Sequence, residues 1–491
     1  MVFSSQIFLF YFLPFSLLAY YGLAKAPQRW RNLCLALLGY IFYGWANPKF
    51  IFLMFGTTFL DWTLSIVIAY SSWRFWRDWK GPIEHALPPG ERTKTQRTAV
   101  ILSVVCNMAV LGFFKYFNFF LDSYNSAIYD IGMPHAQWDT FFRVILPLGI
   151  SFYTFQSLSY IIDVYRGDAK AMRNFIDFSC FVSMFPHLVA GPILKFSFLQ
   201  TQLEGRTLTM DKFARGAAFF MLGMGKKILI ANPCGKVADL TFNAHHVSTA
   251  DAWFGAVAYA FQIFLDFSAY SDMAIGLGLM FGFVFARNFD SPYHSTSITE
   301  FWRRWHISLS TWLREYLYIP LGGNRKGTAR TYTNLMLTML LGGLWHGASW
   351  NFILWGGIHG GALAVERAVP KTNIYWRMPT FIRGIVTFLV VLIGWVFFRA
   401  SDLSAASSYL ASMFGMGARN ANEVITGGLI YKPYYVLAFL VATILVWFVP
   451  DTWEWTQVIT KRKALACAGI FALAVVVLVT QEYNPFIYFI F

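Results

Sequence analysis

From Thr331 to Val365 the chain contains no Asp, Glu, Lys or Arg, and residues 1–24 are equally free of charge. Uncharged apolar stretches of this kind must satisfy their backbone internally, and about 20 such residues are enough for a helix to cross a bilayer. Further apolar segments run near 33–48, 50–70, 99–121, 144–162, 175–194, 213–231, 252–286, 381–399, 434–450 and 464–481. The 252–286 and 331–366 segments are each long enough for more than one membrane element. At about 20 residues per span this pattern predicts an all-α polytopic membrane protein with about 11–13 membrane elements, plus interfacial or re-entrant helices. Only 13% of residues are charged, against about 25% in soluble domains. No polar linker divides the chain, so one membrane domain over residues 1–491 is expected, and disorder, a disulfide scaffold and an ordinary cytosolic enzyme are excluded.

The formal net charge is +14, and the whole excess falls within residues 24–31, 71–98, 195–227 and 287–330. Lys and Arg in short loops mark the cytoplasmic side. Residues 1–24 then cross before Lys25, Arg29 and Arg31, which places Met1 outside. Two further spans return the chain to the basic 71–98 loop, and the next exits to Asp122, Asp130 and Asp139, set against Arg143. Parity and charge agree at each of these turns. A nucleic-acid partner would want the basic residues on one soluble face, so none is expected, and membrane lipids are the obvious neighbours. The first segment lacks a basic leader and a small-residue cleavage site, and reads as a retained span. Cys34, Cys106, Cys180, Cys234 and Cys467 form no CxxC pair, so neither a disulfide framework nor a metal site is expected.

Residues 287–330 are the least membrane-like part of the second half. Ser297 and Glu300 have capping-box spacing for a helix start. In the helix predicted to follow, Trp302, Trp305, His306, Leu309, Trp312, Leu313 and Tyr316 share one face, and Arg303, Arg304, Ser308, Thr311, Arg314 and Glu315 the other. Pro320 and Gly322–Gly323 end it, and Asn324, Arg325 and Lys326 add a basic turn. Two readings fit. One is an interfacial amphipathic helix with a buried, hydrogen-bonded His306. The other is a basic surface that receives a phosphate-bearing ligand, since Arg and Lys pair well with phosphate.

The uncharged stretch that follows holds His346, between Gly343 and Gly347, then Asn351 and His359. An ionisable group at membrane depth is costly and by default a functional candidate. Histidine suits proton transfer because its pKa of about 6.5 lies near working pH, and the glycines admit close approach of a backbone or a substrate. The structural alternative is a hydrogen-bonded membrane histidine, the role expected of His359. In "LDFSAYSDMAIG", Asp266 and Asp272 need partners, and Arg or His would serve. His187 in "FPHLVAGPI" reads as structural or pore-lining. No P-loop, GxGxxG, HExxH or GxSxG occurs.

The run "FWRRWHISLSTWLREYLYIPLGGNR", followed by "GGLWHGASWNFILWGGIHG", resembles the membrane-bound O-acyltransferase (MBOAT) family. The opening "MVFSSQIFLFYFLP", "FPHLVAGPI", "DFSAYSDMAIG" and the closing "NPFIYFIF" are also similar, so the likeness spans nearly the whole chain. It implies a central funnel or tunnel in which a cytoplasmic acyl donor meets an acceptor on the far side. By this resemblance His346 matches the catalytic histidine, and His306 a second motif position that varies in the family. The implied reaction is O-acetyl transfer to an exported, alginate-like polysaccharide, directly or through a periplasmic acetyltransferase partner. Acetyl-CoA or another acyl thioester would be the donor, with no bound cofactor. Arg303, Arg304, Trp305, Arg325, Lys326 and Asn351 complete the expected substrate-binding set. D-alanyl or other acyl transfer to a cell-envelope polymer, acyl export without covalent chemistry, and a scaffold for polysaccharide synthesis are the rival expectations.

Overall fold

The structure, a computed structural model, describes residues 1–78, 83, 85–138, 141–244, 246–370, 372–417 and 427–485. Asp139 and residues 486–491 of the closing block lie outside them. The described residues form helices and turns with no strand. They divide into two compact units, Met1–Thr209 with Phe281–Phe283, and Met210–Met280 with Val284–Phe491. Five helices are long and apolar enough to cross a bilayer: Phe50–Tyr70, Lys94–Asp130, Thr249–Met280, Thr380–Arg399 and Lys461–Thr480. Shorter apolar helices cover Phe8–Gly22 and Pro433–Trp447.

In the first unit, several buried or half-buried polar residues are met by neutral groups. Asp61 accepts from the Ser103 hydroxyl (2.5 Å) and the Asn107 amide (2.9 and 3.0 Å). Arg206 donates to Asn32 Oδ1 (2.6 Å) and lies 4.1 Å over the Phe283 ring. His187 is fully buried, with Nε2 2.8 Å from the Phe181 carbonyl oxygen. The Lys94–Asp130 helix begins at a capping box in which Thr93 and Gln96 satisfy each other's backbone N–H.

In the second unit, Met210–Gly225 runs through a π-helical turn, Lys226–Ala231, into Asn232–Phe242. The chain returns along Thr249–Met280, whose apolar window is buried throughout. Residues 252–286 therefore hold one long helix and an irregular tail instead of two membrane elements. Asp266 and Asp272 pair with lysines of the π turn where Arg or His was expected: Lys227 Nζ lies 3.0 Å from Asp266 Oδ1, and Lys226 Nζ 2.5 Å from Asp272 Oδ2. Two cations of the basic 195–227 segment are thus neutralised inside the protein.

The charge-free stretch folds as a hairpin of Thr328–His346 and Trp350–Ala368, with the turn at Gly347–Ser349. Its two helices touch backbone to backbone. A Cβ at Gly343 would sit 2.1 Å from the Phe352 carbonyl oxygen, and one at Gly356 2.3 Å from that of Met339. Backbone cannot yield as a side chain does, so Gly343→Ala must push the helices apart. Overpacking of this kind costs about 1–3 kcal/mol. We expect Gly343→Ala to lower the thermal midpoint in detergent and to reduce activity, whereas Gly361→Ala, with nothing nearby, leaves both unchanged.

Candidate active site

The helix predicted from Ile298 onward is two helices. Ile298–Arg304 ends at Trp305, and Ile307–Leu313 begins after His306, which adopts the left-handed conformation at φ 43°. Such a conformation costs a non-glycine residue about 1–3 kcal/mol. Nothing in the local sequence breaks the helix. The cause is the extended segment around Asn288, which supplies other backbone partners: Asp290 N–H donates to the Arg304 carbonyl (3.0 Å) and Ile307 N–H to the Asn288 carbonyl (2.8 Å). Ser297 caps the first helix through Glu300 N–H (3.1 Å). The Glu300 carboxylate reaches Thr296 N–H (2.9 Å) and Arg304, one position away from a standard box.

Glu366, the first charge after the charge-free stretch, accepts from Ile298 N–H (2.7 Å) and Thr299 N–H (3.2 Å). A carboxylate is well placed at a helix N-terminus, where free N–H groups converge. It ties the end of the histidine hairpin to the helix that carries the chain to His306.

His306 and His346 come together across these elements, with ring centroids 6.3 Å apart. Both are buried. Phe267 stands edge-on to His306 at 4.7 Å, and Trp345 lies 6.2 Å from it. Around His346 stand Trp345 (5.1 Å), Trp355 (5.2 Å) and Phe398 (5.4 Å). Trp355 also meets His359 at 4.9 Å, and His359 stacks on Phe301 at 6.0 Å. Two buried imidazoles inside an aromatic wall can pass protons between reacting groups. The His306 Nδ1 side is engaged by Asn288 and Ser308, whereas Nε2 has no protein partner among the described residues.

The remaining sequence candidates separate into two sets. Arg303, Arg325 and Lys326 are exposed. Arg304 is half-buried and held internally by Glu300 (3.0 Å) and Asp290 (3.6 Å). Trp305 is buried against Phe301 (5.5 Å) and Trp395 (4.9 Å). Asn351 is buried too, its amide donating to the Ala400 carbonyl (2.8 Å), which latches the hairpin to the end of Thr380–Arg399. Sequence reasoning passed over Asn288 and Glu366. Glu366 carried a signal, as the charge that ends the uncharged run; Asn288, one polar residue in a polar loop, carried none.

Comparison with known proteins follows the same lines. The family model of membrane-bound O-acyltransferases matches residues 169–401. A Pseudomonas putida protein named "Probable alginate O-acetylase AlgI" is 45% identical over 514 residues, covering 100% of both chains. Its namesake from Pseudomonas aeruginosa is 49% identical over 446 residues, covering 89% of this chain and 81% of the relative. A peptidoglycan O-acetyltransferase of Helicobacter pylori is 36% identical over 452 residues, covering 85% of this chain and 80% of the relative.

Proposed function

The chain belongs to the membrane-bound O-acyltransferase family, and from that premise we propose that it transfers acetyl groups from a cytoplasmic thioester to hydroxyls of an exported, alginate-like polysaccharide. Transfer reaches the polymer directly or through a periplasmic acetyltransferase partner. The bacterial inner membrane, with Met1 outside, suits the charge pattern. The observation that carries the reading is the meeting of His306 and His346 inside one aromatic wall.

In the reaction, His346 takes the proton of the acceptor hydroxyl as its oxygen attacks the thioester carbonyl carbon. His306 orients the donor or stabilises the charge that develops on the carbonyl oxygen. The C–S bond then breaks, the ester forms, and the thiolate leaves with the proton that His346 held. General-base help of this kind contributes about 10²–10⁴-fold. The test is purified protein in detergent with acetyl-CoA and a hydroxyl-bearing oligosaccharide. Free thiol should appear in step with acetyl ester on the acceptor; a protein that moves acetyl groups without cleaving the thioester would refute the proposal.

Arg303, Arg325 and Lys326 are the exposed cations available for a phosphate-bearing donor. Charge-assisted contacts to exposed groups are modest and screened by salt. The double reversal Arg325→Glu, Lys326→Glu should raise KM for acetyl-CoA by about 10-fold at low ionic strength, with kcat within about twofold. The difference should shrink as salt is added. Equal KM values at low salt would remove these residues from the donor site.

A further inference from the structure

We propose that Asn288 is the positioning residue that sets the tautomer of His306, placing the ring proton on Nδ1 and leaving the Nε2 lone pair to hold a hydroxyl of the acceptor beside the one that attacks. The inference rests on the acyl-transfer reading and gives His306, in place of the two roles above, the orientation of the acceptor.

Asn288 is buried between the Thr249–Met280 helix and the His306 turn. Its side-chain orientation is fixed by a group that can only donate: the backbone N–H of Ser308 lies 3.2 Å from Oδ1. A flipped amide would set two donors against each other. The Ser308 hydroxyl also donates to Oδ1 (2.9 Å), and Asn288 Nδ2 donates to Ser271 Oγ (2.9 Å), so both ends of the amide agree. His306 Nδ1 lies 3.2 Å from this oxygen. A carbonyl oxygen only accepts, so Nδ1 must carry the hydrogen; the other tautomer would face two lone pairs together.

The consequence lies at the far nitrogen. With the proton on Nδ1, Nε2 of the neutral ring accepts a hydrogen bond and cannot donate one. It has no protein partner among the described residues, though His306 is fully buried. A buried polar atom left this way is costly unless a ligand or water completes it. An acceptor atom cannot stabilise an oxyanion, but it can hold a hydroxyl by its proton. His306 therefore positions the acceptor through a second hydroxyl, beside the one whose proton His346 takes. The left-handed turn at His306 serves the same end, because Ile307 N–H bonds the carbonyl of Asn288 itself and fixes the two residues in register.

Other ionisable groups near the pair are few. His346 is the titratable ring beside His306. Lys226, Asp272, Arg287 and Asp451 line a cavity of about 30 Å³ that Asn288 shares, and all four are held in ion pairs with one another or their neighbours.

The full-length protein in detergent tests this in two ways. Nitrogen-15 spectra, with the His306 signal identified by its loss in His306→Ala, should show a neutral ring protonated at Nδ1 in the wild type and not in Asn288→Leu. This readout needs no turnover, so it can fail while the acyl-transfer reading stands. In kinetics, Asn288→Leu should lower kcat by at least about 10-fold, as expected when a catalytic imidazole loses its tautomer, with KM for acetyl-CoA unchanged. Asn288→Asp keeps the acceptor oxygens and should restore turnover, but its negative charge favours protonated His306. The lone pair is then free only at higher pH, and the acid limb of the kcat profile should move upward. A proton on Nε2 in the wild type overturns the proposal. So do an Asn288→Leu enzyme with wild-type kcat, and an Asn288→Asp enzyme with the wild-type acid limb.

Discussion

His346→Ala is expected to lower acyl transfer by about 10²–10⁴-fold while the protein stays folded in detergent. His346 ends the first helix of the hairpin, and Trp345, Trp355 and Phe398 wall its ring. The backbones of the two helices meet at Gly343 and Gly356, and Asn351 and Glu366 fasten the hairpin elsewhere. Truncation at His346 removes a proton acceptor and leaves these contacts in place. Initial rates of thiol release, with elution volume and thermal midpoint as controls, read the two effects separately. A folded His346→Ala protein with the wild-type rate would take His346 out of the mechanism.

Asp266→Ala should be the most destabilising single change in the second unit. Lys227 and Asp266 are almost fully buried, at 2% and 1% side-chain exposure, and 3.0 Å apart. Lys227 also donates to the Pro485 carbonyl. Removing one partner of such a pair leaves a buried charge without its counter-ion and costs about 3–5 kcal/mol. Replacing both by apolar residues of similar size is often close to neutral, so Lys227→Met with Asp266→Leu should recover much of the loss. Thermal unfolding in detergent measures both. A single substitution that costs under about 1 kcal/mol would mean that water or the chain reaches Lys227 and replaces the lost charge. Asp266 shares its helix with Phe267, which stands against His306, so the double variant also shows whether this pair supports the site or only the fold.

Much of this architecture was readable in the amino-acid order. The uncharged run predicted a membrane element pair, and its hairpin places His346 just before the turn. Of the apolar face drawn over residues 302–316, Trp305, His306, Leu309, Trp312 and Leu313 are buried, and Arg303 and Arg314 of the opposite face are exposed, but Ser308, placed with the polar residues, is buried too. The break at His306 was not readable, because it is imposed by backbone bonds from Asn288 and Asp290 and not by any local helix breaker. The lysine partners of Asp266 and Asp272 were hidden for a different reason. Lys226 and Lys227 end a basic segment and looked like part of the cytoplasmic signal, but a π-helical turn carries both inward. Trp305 and Asn351 were expected among the substrate-binding residues. Their visible bonds are internal ones, to Trp395 and Phe301 and to the Ala400 carbonyl.

The paired histidines are the centre of this account, and mass analysis of the cell-surface polysaccharide tests them most directly. Cells that depend on this protein should carry acetyl esters on the polymer with the wild-type chain. They should lose nearly all of them with His346→Ala, at equal membrane abundance of the two proteins. A polymer acetylated to the same degree in both would contradict the account.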